Sequence, residues 1–161
     1  MRQIQIRLPT EERQATIVAA VLELAREFSP ALITTGDIAA SVGVSQGAVF
    51  KHFPTKDAIW LAAMKWVRQQ LLTALDEAAA AAPTPVAALG AVFRAHVAFV
   101  VAHPGVPRFI FHELQQPADS PAKQEVRSVM QGYRKLLLAL LADAVRERQV
   151  PANLDLDCAA T

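Results

Sequence analysis

The sequence predicts an all-α fold, an N-terminal three-helix unit followed by a helical bundle, on three observations. Apolar residues recur at three- and four-residue spacing through most of the chain. Prolines interrupt that pattern at Pro30, Pro83, Pro85 and Pro104, which divides it into helix-length pieces. Residues 34–56 read as a short helix, a glycine-centred turn and a second short helix.

Taken in order, Thr10 can cap a first helix in which Ile17, Val21, Leu24 and Phe28 repeat at helical spacing, and Pro30 stops it. Thr34 can cap a second, with Asp37 three positions on reaching back as a capping-box partner, so that helix starts near Thr35. Ile38 and Val42 share one face, and Ala39 is small enough to let a crossing helix approach closely. Gly43 ends the helix because a left-handed backbone is cheap there only for glycine. Val44 plugs the corner, Ser45 caps the third helix, and Val49 faces back toward Ile38 and Val42. From Thr55 a long helix carries Ile59, Met64, Val67, Leu71 and Leu75. The alanine run at 78–82 favours helix and is read as no linker. Further helices are expected over 86–102, 107–115 and 121–148.

Two short helices held at a fixed angle by a glycine turn form a helix-turn-helix, which makes DNA the first partner to consider. Gln46, Gly47, Ala48, Phe50 and Lys51 remain outward on the second of them. Small residues let the backbone approach a groove, Gln46 offers paired donor and acceptor atoms to a base edge, and Ala48 can touch a thymine methyl. Lys51 and Lys56 can neutralise phosphates, and the helix starts around Thr34, Thr35, Ser45 and Thr55 present free N–H groups to them. The plain alternative is a corner of an all-α protein that only packs against protein.

The run FKHFPTKD from Phe50 to Asp57, with DIA at Asp37 to Ala39 and GVS at Gly43 to Ser45, resembles the DNA-binding domain of the tetracycline-repressor (TetR/AcrR) family from Ile33 to Ile59 without a gap. The resemblance implies a helix-turn-helix DNA-binding domain at 1–56 and a helical ligand-binding and dimerisation domain at 57–161, the latter incomplete. Two departures stand out. The family often has tyrosines where this chain has Phe50 and His52, and such a hydroxyl reaches a phosphate. Phe50 has no hydroxyl, whereas His52 either donates a hydrogen bond or sits in the core.

The 161 residues, 53% of them apolar, are enough for a real core, and no uninterrupted apolar window reaches about eighteen residues. With no signal-peptide core in the first residues, a cytoplasmic protein without a membrane partner is expected, and a single cysteine, Cys158, excludes an internal disulfide. The net charge is only +1, and residues 1–60 balance six basic side chains (Arg2, Arg7, Arg13, Arg26, Lys51, Lys56) against six acidic ones. Distribution matters more: between Ala39 and Lys56 no acid occurs while Lys51, His52 and Lys56 do, so the expected DNA face is locally positive.

The second half carries no motif. Phe93, His96 and Val100 share a face of one helix, Phe109 and His112 lie on the next, and Met130, Tyr133 and Leu137 on the last. They are candidates for an apolar cavity with a few polar groups, as a small-molecule site requires, although such residues at helical spacing also make ordinary core. His96, His103 and His112 are dispersed without a short HxxxH spacing, so no metal or other cofactor is expected. No Ser-His-Asp set, paired carboxylates or phosphate-cradling glycine loop supports an enzyme. The final PANLDLDCAAT reads as a loop leading into another helix, so the chain is expected to be a truncated piece of a homodimer. The family resemblance implies a repressor that binds a palindromic operator and releases it on binding a small apolar or amphipathic effector.

Overall fold

A computed structural model describes residues 9–160, and every regular element among them is a helix. Three helices, α1 (Thr10–Glu27) and the short α2 (Thr35–Val42) and α3 (Gln46–His52), form the N-terminal unit. The long α4 (Lys56–Ala80) leads into α5 (Pro85–Ala102), α6 (Gly105–Gln115), α7 (Pro121–Arg146) and the short α8 (Leu156–Ala159). Arg2 and Arg7 of the charge balance lie outside the described residues.

Thr10 does not cap α1. It is the first helical residue, Pro9 precedes it without a side-chain cap, and Glu11 and Glu12 complement the positive end of the helix instead. The buried face of α1 is Ile17, Val18, Val21, Leu22 and Ala25. Phe28 falls outside it, exposed in the extended residue that closes the helix. The expected periodicity therefore ran one position off the true stripe at its C-terminal end.

The second helix begins as expected. Thr34 Oγ1 accepts from the Asp37 amide at 3.1 Å, and Asp37 Oδ2 accepts from the Thr34 amide at 2.8 Å. Gly43 turns left-handed at φ 72° and ψ 35°, and the amide of Val44 returns to the Ala39 carbonyl at 3.0 Å. Ser45 caps α3 through the Ala48 amide. Ile38, Ala39 and Val49 are all buried, which sets the angle between the two helices.

Helix α4 packs against α1, α5 and α7, and buries Ile59, Trp60, Ala63, Met64, Val67, Leu71 and Leu75. The pair Arg68 Nε to Glu125 Oε2, at 2.6 Å, ties it to α7. Helix α6 crosses α1 so closely at Gly105 that a Cβ there would meet the Leu22 carbonyl oxygen at 2.1 Å and the Arg26 nitrogen at 2.9 Å. The N-terminal unit and the bundle thus share one core, in which Ile17 and Val49 lie in the same buried cluster as Phe109 and Val126, and Trp60 and Phe109 are in ring contact at 5.1 Å.

Helix α7 stops at Arg146, two residues before the expected end, because Arg148 adopts a positive φ of 57° and the Gln149 amide folds back to Ala144. Gln149 Oε1 accepts from the Val86 amide at 3.0 Å, which fastens the start of α5 to this turn. Helix α5 is long and apolar enough to cross a membrane by length and composition, although Arg94 and His96 interrupt it. It packs on α4 and α7 and leaves Val86, Phe93, Val97 and Val101 exposed.

Candidate DNA-binding surface

The residues expected to meet DNA gather around the starts of α2, α3 and α4. Thr34, Ser45 and Thr55 each spend their hydroxyl on a helix cap, with Thr55 Oγ1 accepting from the Ala58 amide at 3.1 Å. Gln46 is exposed, and its Nε2 donates to Thr35 Oγ1 at 2.5 Å. That bond links the first turns of α2 and α3 and leaves the Gln46 amide oxygen available to accept. Gly47 and Lys51 are exposed, and Ala48 is half-buried. The Thr34 side-chain and backbone donors hold the Asp37 carboxyl below the usual carboxylate range.

Phe50 is 42% exposed, so its ring presents an apolar surface where a phosphate-binding hydroxyl is common in the resembling family. His52 is split between the two roles expected for it. Its side chain is half-buried, its Nδ1 is buried without a hydrogen-bond partner, and its carbonyl accepts from Gln14 Nε2 at 3.1 Å. Nε2 is then the ring nitrogen with which His52 can reach a phosphate.

Lys56 departs from the simple picture of an outward phosphate ligand. Its ammonium lies 4.6 Å from the centre of the Trp60 ring, and burial lowers its pKa while Asp57 and Asp37 partly restore it. The one-turn spacing of Lys56 and Trp60 carried this signal in the sequence.

The eight residues expected to line a ligand site do not form one group. His96 Nδ1 and Tyr133 Oη lie 3.2 Å apart between α5 and α7, and burial raises the Tyr133 pKa. Val100 and Leu137 are half-buried. Phe109 is fully buried core against Trp60, whereas Phe93 and Met130 are 65% and 56% exposed. Only His112 of the eight lines an open cavity of about 630 Å³ between the start of α4, the end of α6 and the start of α7. That cavity was not legible beforehand, because it depends on where α6 and α7 cross α4. His103 stacks edge-on against Trp66, and no group of three or more His, Cys, Asp or Glu among the described residues is placed to hold a metal ion.

Fold and surface define an all-helical protein of the helix-turn-helix DNA-binding class. Residues 17–63 match the family described as bacterial regulatory proteins, tetR family. It is 38% identical over 60 residues to the HTH-type transcriptional regulator CymR of Pseudomonas putida, covering 37% of this chain and 30% of that one. It is 24% identical over 99 residues to the nucleoid occlusion factor SlmA of a Marinomonas species, covering 62% of this chain and 50% of that one. The chain therefore spans half the length of that relative, and less of the first. The fold is shared with the transcriptional regulator FadR of Bacillus subtilis, solved in complex with stearoyl-CoA, at a TM-score of 0.74 and 20% identity over 91% of this chain and 78% of that one.

Proposed function

We propose that this chain acts as a ligand-responsive transcriptional regulator, a repressor that binds a palindromic operator as a homodimer and releases it when a small apolar or amphipathic effector occupies the helical bundle. The observation that carries the reading is the left-handed Gly43 turn, which holds α3 against α2 with Gln46, Gly47 and Lys51 exposed. In this reading residues 1–56 engage DNA, with Thr34, Thr35, Ser45, Gln46, Gly47, Ala48, Phe50, Lys51, His52, Thr55 and Lys56 at the contact, and 57–161 bind effector and partner. The protein works in the cytoplasm, without a membrane.

A palindromic site is read by two recognition helices about 34 Å apart, so a dimer is required for tight specific binding. The exposed strip of Phe93, Val97 and Val101 on α5 supports association. Helix α4 supports the release step. It starts beside the recognition helix and runs through the bundle, buried as far as Leu75, so a shift along it changes the spacing of the two DNA units.

The test is gel retardation of DNA from upstream of the gene. Retardation is expected, and is lost in a Gln46→Ala, Lys51→Ala double variant that keeps its helical circular dichroism. Lys51→Ala alone lowers the slope of log K against log salt by about one. No retardation at any salt concentration overturns the proposal in favour of a protein-interaction module.

A further inference from the structure

The cavity at the α4, α6 and α7 junction has a composition unlike either a dry core gap or a phosphate cradle. Trp60, Leu61, Ala58 and Ala122 supply its apolar wall. Its volume of about 630 Å³ suits a small organic molecule. Glu113 opens onto it and is 3% exposed, the one charged side chain buried among the described residues.

Glu113 has a neutral partner only. Its Oε2 accepts from Ser120 Oγ at 3.1 Å, and none of the ion pairs found among the described residues includes it. Lys123, one turn into α7, sends its ammonium to the Gln116 carbonyl at 2.6 Å instead. A carboxylate taken from water without a cation is costly, and a cationic ligand would relieve it. At the mouth, Lys56 and Asp57 offset one another, so Glu113 sets the sign of the site. The Trp60 face already accepts a cation, the ammonium of Lys56. An anion would find the starts of α4 and α7 occupied by the Thr55 and Ser120 caps, and two carboxylates nearby.

We propose that this cavity binds an amphipathic organic ammonium, its cation against Glu113 and its apolar body along Trp60, Leu61 and Ala122, displacing Lys56 from the Trp60 ring. This site is separate from the His96 and Tyr133 pair between α5 and α7. Binding itself stands without the regulator reading. Its consequence for DNA rests on that reading, because Lys56 belongs to the proposed contact and the cavity borders the first turn of α4.

The probe is decyltrimethylammonium below its micelle concentration, titrated into the full chain carrying Trp66→Phe so that Trp60 alone fluoresces, with calorimetry on the unaltered chain as a second measurement. Saturable binding is expected, at least tenfold weaker in Glu113→Gln and in the cavity-filling Ala58→Leu, and unchanged in Tyr133→Phe. Decanoate, of the same chain length and opposite charge, is expected not to bind. Equal binding of decanoate and the ammonium, full affinity in both Glu113→Gln and Ala58→Leu, or loss only in Tyr133→Phe overturns the proposal. Gel retardation with the probe present separates the two readings: site-specific binding that leaves retardation unchanged supports the site and counts against its coupling to DNA.

Discussion

Single polar atoms decide how the DNA-facing surface is organised. Asp37 accepts from both the hydroxyl and the amide of Thr34, and those bonds hold its carboxyl below the ordinary range. A depressed folded-state value means that the stability contributed is present above the unfolded pKa of about 3.9 and is lost as pH falls through the lower folded value. Asp37→Asn is therefore expected to melt below the parent at pH 7, with the difference shrinking below about pH 4. A constant difference from pH 7 to pH 3 in thermal unfolding would sink this account. His52 carries the opposite problem, a buried nitrogen without a partner. His52→Tyr removes that nitrogen and adds a hydroxyl for a phosphate. The hydroxyl then replaces Nε2 as the phosphate donor and operator affinity should hold, whereas His52→Phe, which removes the donor, should weaken it about fivefold, one such bond being worth roughly 1 kcal/mol; undiminished binding of His52→Phe in a titrated gel shift would refute the assignment. The sequence marked His52 as unusual, but not that one ring nitrogen faces inward and leaves the other to act.

At the scale of elements, two glycines do different work. Gly43 needs its left-handed backbone, and a Cβ there would meet nothing within 4 Å, so Gly43→Ala costs only the conformational strain, about 1 kcal/mol. Gly105 is the closer constraint. A Cβ would strike backbone of α1 at 2.1 Å, which two helices can relieve only by moving apart, and such overpacking costs about 3 kcal/mol or more. Chemical denaturation of the two variants should rank Gly105→Ala well below Gly43→Ala, and the reverse order would show that α6 is free to shift. Gly43 was legible because a turn is a local event with local residue requirements. Gly105 showed in the sequence only as the neighbour of the Pro104 break, because its role depends on α1, some eighty residues earlier in the chain. The same reason hid the junction cavity. Helical spacing assigns Phe109 and Phe93 to faces, but only the crossing geometry tells that Phe109 meets Trp60 and Phe93 meets solvent.

For the molecule as a whole, the sequence divides into two units more sharply than the structure does. The composition of 34–56 and the absence of any motif beyond it invite a boundary near Lys56. Yet α4, which begins at that point, packs on α1, α6 packs on α1 as well, and Trp60 joins Ile17, Val49, Phe109 and Val126 in a single buried cluster. Separate domains unfold separately when the surface between them is small and polar; a shared apolar core couples them. The chain is therefore expected to unfold in one transition. Near-ultraviolet dichroism reports Trp60 at the boundary and Trp66 within the bundle, while far-ultraviolet dichroism reports all helices, so the two signals should coincide across a denaturant series. Two separated transitions, with the Trp60 environment lost first, would show that the helix-turn-helix unit moves independently of the bundle. The release step proposed here would then lack its mechanical basis, because an effector in the bundle can reposition α3 only if α1, α4 and α6 carry the displacement as one body.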